Sequence, residues 1–415
     1  MKPFKMIASV VGVLVGLGLV VNGYAGERVA ITDHLDMELL WRKSYDHTIG
    51  DFGHLMSNDG KVCIIIPGGI KGKWNTWIEV MNKTGKIIWS KSIPEHGYYT
   101  NFSEDGRYLM IGWLSGEDYK AFSYFDETGK ELWKKFLKGI PKVSPNGEFI
   151  GYSGIFSPAA FPYDFLGWDL MDKNAKLLWS YQPKYCFSAI ILNNGSTVMV
   201  EGKTIRHYDR TGKKVKDILI LEMTPLPLGA ALEHSGPLYL VTTSDGRYVA
   251  FVRLALDPVR WMLYSVDMET GKWWSRIVDK GELDFPFARN LILTSDGRYL
   301  ILHHLRGIQF FDNVSGKLLW EKMPQPRKDV TLGYLQVSEK YGFILADWSI
   351  RVSEESNRRF IYKMEFLDFR GKTVWDGDKA EGFLRGIGYI LKQNSDYVIL
   401  RTGMDDIGFA RFVRK

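Results

Sequence analysis

Few residues of this chain have the types and spacing that metal or phosphate chemistry requires. His303 and His304 are adjacent, but neighbouring residues of a β-strand point to opposite faces, and no Cys/His partner motif follows them. The segment Gly68-Gly-Ile-Lys-Gly-Lys73 lacks the spacing of a phosphate-binding loop and lies between predicted strands rather than before a helix. We therefore predict no metal ligands and no phosphate-binding residues.

Catalytic motifs are equally scarce. After the first 25 residues the sequence has no Gly-x-Ser-x-Gly nucleophile elbow and no helical region that could host a hydrolase. Carboxylates from distant parts of the chain could still meet as a glycosidase-type pair, because such a pair needs no proximity in sequence. We assign no catalytic residues, and we expect a binding protein rather than an enzyme.

The most conspicuous pattern is a repeated turn, in which Asp or Asn precedes Gly-Lys and an apolar stretch that ends in Trp. Its clearest copy is Asp312-Asn-Val-Ser-Gly-Lys-Leu-Leu-Trp320, and the turn occurs seven times, once with Ala175 in place of glycine and once, at Asp209, without the tryptophan. Self-similarity of this kind indicates a repeat architecture. The tryptophans are predicted to be structural residues of the repeat, and they are Trp41, Trp89, Trp133, Trp179, Trp274, Trp320 and Trp375.

A second turn alternates with the first. It reads Ser/Thr-x-Asp/Asn-Gly and leads into a strand, as in Thr294-Ser-Asp-Gly-Arg-Tyr299. Asp-Gly and Asn-Gly between apolar runs are strong hairpin signals, because the turn requires positive φ angles. The strands that follow are apolar on both faces, which is typical of strands packed between neighbouring sheets.

The two turns together define a unit of four antiparallel strands over about 40 to 55 residues, the size of a propeller blade. We predict an all-β fold, an eight-bladed β-propeller. Met37–Ser44 resembles the last strand of a unit, so the N-terminal strand is predicted to close the ring by pairing with the C-terminal blade. Seven blades are the alternative, because the fourth unit has Val215 where the others have tryptophan.

These two turns resemble known repeats. The Asp-x-x-Ser/Thr-Gly-Lys-x-x-Trp turn resembles the tryptophan-docking repeat of pyrroloquinoline-quinone-like propellers, and Ser-x-Asp-Gly-Arg-Tyr resembles the WD-like repeats of bacterial periplasmic propellers. A quinone dehydrogenase of that family would be expected to have vicinal cysteines and a calcium-binding carboxylate set. The only cysteines here are Cys63 and Cys186, so we predict no cofactor.

The N-terminus has the features of an export signal. Lys2 and Lys5 precede an apolar run, and Gly23-Tyr-Ala25 offers small residues for cleavage. We predict a signal peptide at 1–25, a short exposed lead-in at 26–36 and a single propeller domain at 37–415. The protein is expected in the periplasm or outside the cell, associated with a membrane only if the signal stays uncleaved. Both cysteines are predicted to be buried thiols rather than a disulfide.

Charge and loop lengths point to the kind of partner. The formal net charge of +6 comes without a long basic run, so we expect no nucleic acid. Both turn types should lie on one face of the ring and the variable connections on the other, where binding residues concentrate. We expect a monomer that binds a protein or peptide there, with a small-molecule or carbohydrate-active enzyme using the central channel as the alternative. The candidate partner-binding residues are Phe156, Phe161, Tyr163, Phe165, Arg253, Arg260, Trp261, Arg351, Arg358 and Arg359.

Overall fold

A computed structural model describes residues 26–45, 54–66, 76–93, 97–115, 119–137, 141–153, 167–184, 187–223, 238–256, 259–278, 288–304, 307–322, 330–351, 360–377, 389–401 and 406–415. These residues form eight antiparallel sheets. The first strands of most neighbouring sheets contact each other, and the contact between the first and last sheets closes the ring. The predicted all-β, eight-bladed β-propeller is confirmed, and we number its blades I to VIII in chain order.

The strands follow the chain in order. Two of them precede the first blade, and they are β1 (Arg28–Thr32) and β2 (Leu35–Ser44). Blades I to IV comprise β3 (His54–Met56), β4 (Val62–Ile66), β5 (Thr76–Met81), β6 (Ile87–Ile93); β7 (Gly97–Phe102), β8 (Tyr108–Ser115), β9 (Tyr119–Asp126), β10 (Glu131–Phe136); β11 (Pro141–Val143), β12 (Phe149–Ser153), β13 (Trp168–Asp172), β14 (Leu177–Tyr181); and β15 (Phe187–Ile191), β16 (Thr197–Glu201), β17 (Thr204–Tyr208), β18 (Lys214–Leu219).

The other four blades have the same strand order. They comprise β19 (Leu238–Thr242), β20 (Tyr248–Leu256), β21 (Val259–Asp267), β22 (Trp273–Ile277); β23 (Ala288–Leu293), β24 (Tyr299–His304), β25 (Gly307–Asp312), β26 (Leu318–Lys322); β27 (Val330–Ser338), β28 (Phe343–Arg351), β29 (Phe360–Asp368), β30 (Thr373–Asp376); and β31 (Tyr389–Leu391), β32 (Tyr397–Arg401), β33 (Asp406–Arg414). We call the four strands of a blade A to D, from the channel outwards.

The hydrophobic core is divided among the seams between blades. Each of the eight seams contains one cluster of buried side chains, as where Ile65 of blade I meets Ile111 of blade II. Every residue of the B strands β4 and β16 is buried, because both faces of such a strand are covered by neighbouring sheets. The apolar patterning of these strands therefore reflects packing of one blade on the next.

The N-terminal strand closes the ring as predicted. β2 pairs antiparallel with β33, with Met37 opposite Phe412 and Trp41 opposite Phe409. It therefore serves as the D strand of blade VIII, whose other strands come from the C-terminus. Joining the two ends of the chain in one sheet removes the open edges that a broken ring would present.

The residues expected to be an exposed lead-in contain a further strand. β1 pairs with β2 and makes blade VIII five-stranded. Ile31 and Leu35 are buried in the cluster that joins blades VII and VIII. The expectation of exposure was wrong for these two side chains, because their alternation with polar residues places them on the face that packs against blade VII. Residues 1–25, with the predicted signal peptide, lie outside the described residues.

Blade IV is a complete four-stranded sheet, so the seven-bladed alternative is wrong. The residue in its D strand that takes the tryptophan register is Lys216 rather than Val215. Lys216 lies opposite His207, as Trp133 lies opposite Tyr124 in blade II, and in both pairs of strands the register shifts at the preceding residue. Because the same β-bulge occurs in both blades, a count along the sequence agrees: Lys216 follows Asp209 by seven residues, as Trp133 follows Asp126.

Two smaller findings concern the thiols and the membrane. Cys63 is a buried free thiol, as predicted, and burial raises its pKa above the usual range. Cys186 lies outside the described residues. Within the described ranges there is no helix both long enough and apolar enough to cross a bilayer.

Candidate functional site

The two faces of the ring differ in their connections. We call the end with the A–B and C–D turns the turn face, and the end with the B–C and D–A connections the loop face. Every A–B and C–D turn has four or five residues, whereas the connections on the loop face range from two residues at 202–203 to 18 residues at 220–237. Variable connections on a constant scaffold are where binding sites most often occur, so the loop face was the expected site.

The Asp residues of the turn face cap their own turns. Asp312 accepts hydrogen bonds from the Ser315 hydroxyl at 2.7 Å and the Ser315 backbone N–H at 2.8 Å. These bonds hold the pKa of the Asp312 carboxyl below its usual range, because they stabilise the charged form. Asp209 makes the same bonds to Thr211. These carboxylates are engaged in turn geometry rather than directed at a ligand.

The D-strand tryptophans dock on the next blade. The Trp274 ring lies over Gly316, and its Nε1 donates to the Asn313 carbonyl at 2.6 Å. Gly316 has a φ of 67°, and a Cβ added there would be 2.7 Å from the ring. Glycine therefore serves twice at this position, by adopting the left-handed turn and by leaving a flat surface for the indole.

The same docking recurs around the ring. Trp41, Trp89, Trp179 and Trp320 lie over the turn glycines at 85, 129, 212 and 371. Three further indoles donate to a backbone carbonyl of the next turn, from Trp41 to Lys83, from Trp133 to Lys173 and from Trp320 to Phe369. Trp375 is half-buried and packs in the cluster between blades VII and VIII. The structure thus places the seven tryptophans in packing positions.

The second turn works in the same way. Tyr248, the first residue of a B strand, covers Gly297 of the A–B turn in the next blade. Tyr397, Tyr108 and Phe149 cover Gly60, Gly147 and Gly195 in the corresponding positions. These four A–B turns therefore use the same contact as the C–D turns, an aromatic ring on a glycine of the neighbouring blade, whereas Gly106 and Gly342 have no aromatic ring over them. On the turn face, the described aromatic side chains mainly hold the ring together.

On the loop face, the segment 253–261 is a hairpin rather than the long loop that was expected. β20 extends to Leu256 and β21 begins at Val259, so the connection between them has only two residues. Arg253 is only 2% exposed, and its guanidinium donates to the Gly202 carbonyl of blade IV. Arg253 was expected to contact a partner, and this was wrong because the side chain is enclosed in the seam between blades IV and V.

The other candidate residues are placed as follows. Arg260 and Trp261 are half-buried on β21, and Trp261 packs against the cluster between blades V and VI. Arg351 is the last residue of β28. The structure thus puts Arg260 and Trp261 on one hairpin of blade V and Arg351 on blade VII. The remaining candidates lie outside the described residues, and they are Phe156, Phe161, Tyr163, Phe165, Arg358 and Arg359.

Sequence reasoning missed two buried networks in the seams. Glu79 of blade I accepts from Lys43, from Tyr45 at 3.0 Å and from the Trp77 indole at 3.1 Å. Glu365 of blade VII accepts from Lys322 at 2.7 Å, Trp348 at 2.7 Å and Thr373 at 2.8 Å. The available signal was the repeated spacing Trp-x-Lys, which occurs in Trp41-Arg-Lys43 and Trp320-Glu-Lys322.

These two networks are structural rather than catalytic in form. In each, the lysine comes from the D strand of one blade and the glutamate from the C strand of the next. A buried charge is tolerated only when it is paired and hydrogen-bonded, and both carboxylates meet that condition. Burial together with the Glu79 charge raises the pKa of Tyr45 above its ordinary range, so its hydroxyl remains a donor.

One lysine faces the axis of the ring. Lys142 is on the inner strand of blade III, and its Nζ donates to the Ala189 carbonyl on the inner strand of blade IV at 2.8 Å. It retains accessible surface, although burial lowers its pKa. This combination is expected of an ammonium group in an enclosed channel that contains water.

One carboxylate of the ring is perturbed by burial alone. Asp347 lies half-buried in the middle of β28, paired with Tyr334 and Met364. Its environment raises the pKa of its carboxyl to about 6. Perturbed carboxylates are often functional, but such a site needs partner groups within reach.

The described residues do not bring such partner groups together. Among them, no group of three or more His, Cys, Asp or Glu residues is placed to hold a metal ion. His303 is buried and contacts the Leu332 carbonyl across the seam, with 3.3 Å between its Nε2 and the oxygen. What the geometry offers is a rigid ring with one uniform face and one variable face. No protein-family model and no curated protein matches the chain, so the functional argument rests on its own residues.

Proposed function

We propose that this protein is a binding or scaffold propeller that holds a protein or peptide partner on its loop face. The observation that carries the proposal is the difference between the faces. The A–B and C–D turns of one face are uniform in length and most of their glycines are covered by docked aromatic rings, whereas the connections of the other face vary from two to 18 residues. A rigid scaffold that carries variable connections on one side is suited to recognition.

Export and family membership belong to the same proposal. The basic and apolar N-terminal segment favours secretion into the periplasm or outside the cell. The repeated turns favour membership of the pyrroloquinoline-quinone-like and WD-like propellers of bacterial envelopes. Many propellers of this kind carry no chemistry of their own, so a binding role agrees with the absence of a catalytic motif in the sequence.

Site-specific crosslinking on the two faces tests the proposal. A photo-crosslinking residue at Lys203 probes the loop face, and the same residue at Thr128 probes the turn face of blade II. In cells that export the full chain, we expect a discrete covalent adduct from position 203 and none from position 128. Equal adducts from both positions, or none from either, would contradict a partner on the loop face.

A second candidate is a site in the central channel, which Lys142 favours. A desolvated ammonium group at the axis would attract an anionic small molecule, as in a channel-based binding protein or enzyme. Titration with inorganic phosphate and with a dicarboxylate, followed by calorimetry, should show saturable binding that Lys142→Met removes. Lys176→Met on the turn face is the matched control. Binding that survives Lys142→Met would exclude this candidate.

A further inference from the structure

The docking of D-strand tryptophans on the glycines of the C–D turns has one exception among the described residues. Blade IV presents Lys216 to blade V where other blades present tryptophan. The corresponding glycine, Gly271, has a φ of 75°, and a Cβ added there would meet no atom within 4 Å. The surface that binds an indole at Gly316 is therefore open at Gly271.

Turn length does not explain the difference. The turns at 268–272 and 313–317 both have five residues, and Gly271 and Gly316 have similar φ angles of 75° and 67°. One glycine is covered by Trp274 and the other is uncovered. The difference lies in the side chain supplied by the preceding blade, because the two turns offer the same backbone surface.

The hydrogen-bond acceptor of this surface is also open. Trp274 donates to Asn313, the residue after the turn Asp, and the equivalent residue in blade V is Met268. Among the described residues, no donor reaches the Met268 carbonyl. Lys216 instead donates through its Nζ to the neighbouring Glu269 carbonyl at 2.6 Å. A flat glycine surface and a free carbonyl are the two features that hold an indole elsewhere in the ring.

The second docking series is weakened at the same seam. Gly246 of blade V is covered only by a methyl group of Leu192, whereas Gly297 of blade VI is covered by the Tyr248 ring. Both aromatic contacts that join most blades on the turn face are thus replaced between blades IV and V. Two independent replacements at one seam distinguish it from the described remainder of the ring.

We propose that this open surface, formed by Met268, Gly271 and Lys216, is a second recognition site that receives the indole of a partner polypeptide. The ring itself shows what such a surface binds, since indoles occupy it at five other turn glycines. Lys213, Lys214 and Lys216 lie on the blade IV side, so a tryptophan next to acidic residues fits best. The site lies on the turn face, and it does not depend on the function proposed for the loop face.

Binding of a small indole probe tests the proposal directly. N-acetyl-tryptophanamide and the peptide acetyl-Asp-Trp-Asp-amide are titrated into the full chain and followed by NMR. We expect saturable binding in the millimolar range, tighter for the acidic peptide, because one side chain contributes limited binding energy. Lys216→Trp supplies an internal indole and should weaken probe binding by about tenfold.

Two more variants keep the test decisive. Val215→Trp adds the same residue at the neighbouring position, which is 61% exposed and outside the tryptophan register, so probe binding should persist. Gly271→Asn places a side chain on the flat surface with a residue that tolerates positive φ, so binding should be lost even if Lys216→Trp does not fold. Absence of saturable binding to the parent chain, or equal binding to all variants, overturns the proposal.

Discussion

Blade V is joined to its two neighbours by different contacts on the turn face. Towards blade VI it supplies Trp274 and Tyr248, and both rings lie on glycines. Towards blade IV, Lys216 takes the place of the tryptophan, and Gly246 meets Leu192 of the A–B turn rather than an aromatic first residue of the B strand. The apolar cluster between blades IV and V is nonetheless complete, and it includes Val200, Phe251 and Met262.

This comparison separates two functions of a seam. The apolar clusters are present at all eight seams and provide most of the burial that holds the ring together. The docked aromatic rings add directional contacts at the turn face, and these can be absent without loss of a blade. A seam without them is the place where the turn face can offer a surface to another molecule.

The largest expected effect comes from truncating to alanine the side chain that each seam presents at the turn face. Trp274→Ala should lower the free energy of unfolding by about 3 to 5 kcal/mol, because it removes a packed indole and its hydrogen bond. Lys216→Ala should cost less than about 1 kcal/mol, because Lys216 is half-exposed. Urea unfolding monitored by circular dichroism measures both. Similar losses in the two variants would show that the seams do not differ in this respect.

A methyl group on the two matched glycines sharpens the comparison. Gly271→Ala should cost about 1 kcal/mol, since only the positive φ is unfavourable for alanine. Gly316→Ala should cost about 3 kcal/mol, because the new Cβ also displaces the Trp274 ring. Thermal unfolding of both variants measures this difference as the gap between their two midpoints. If the costs are equal, Gly271 is covered in solution.

Installing the missing ring should act in the opposite direction. Lys216→Trp places an indole in the register that docks on Gly271, and we expect a gain of about 1 to 2 kcal/mol in unfolding free energy. Val215→Trp is the matched control, and we expect no gain from it because that residue points into solvent. A destabilised Lys216→Trp variant would mean that the surface at Gly271 does not fit an indole.

The smallest expected effect concerns Asp347, whose carboxylate lies half-buried in β28 of blade VII. In the same blade, Phe343 and Phe366 pack in the seam towards blade VIII. Burial raises the pKa of Asp347 to about 6, above its unfolded value of about 4. The folded chain therefore binds an extra proton between these pH values, and its stability falls as pH rises through that window. Asp347→Asn should be more stable than the parent by about 1 kcal/mol at pH 7.5, after allowance for partial exposure, and equal to it near pH 4.

Unfolding at the two pH values tests this last prediction. Glu127→Gln, at a solvent-exposed position on the turn face, serves as the control and should show no such dependence. A pH-independent difference between Asp347→Asn and the parent chain would mean that the carboxyl is not buried in solution. In that case the seam between blades IV and V, which lacks docked aromatic rings, would remain the weaker contact on the turn face.

Local turn chemistry made the fold predictable. Asp-Gly and Asn-Gly turns mark the positions where the chain reverses, because only a few residue types adopt positive φ. Each such turn is complete within five residues. Counting turns therefore gave eight blades. The match between Met37–Ser44 and the outer strands indicated ring closure, since an incomplete blade at one end requires the strand left over at the other.

The candidate site was less predictable because it depends on neighbours distant in sequence. Arg253 was predicted from the sequence to lie in a loop. In the structure β20 and β21 extend beyond it, and its side chain is buried against Gly202 of another blade. The networks around Glu79 and Glu365 join residues 36 and 43 positions apart, so the local Trp-x-Lys spacing marks the lysine of each network but not its glutamate partner.

The sequence by itself determined the all-β repeat and the closure of the ring, because hairpin turns and apolar strands are encoded by short stretches, and the complete sheet of blade IV then decided eight blades over seven. Only the tertiary structure decided which glycine each aromatic ring covers, because that contact spans two blades. It also decided that Gly271 is left open beside Lys216, because the side chain that reaches a turn glycine comes from the neighbouring blade.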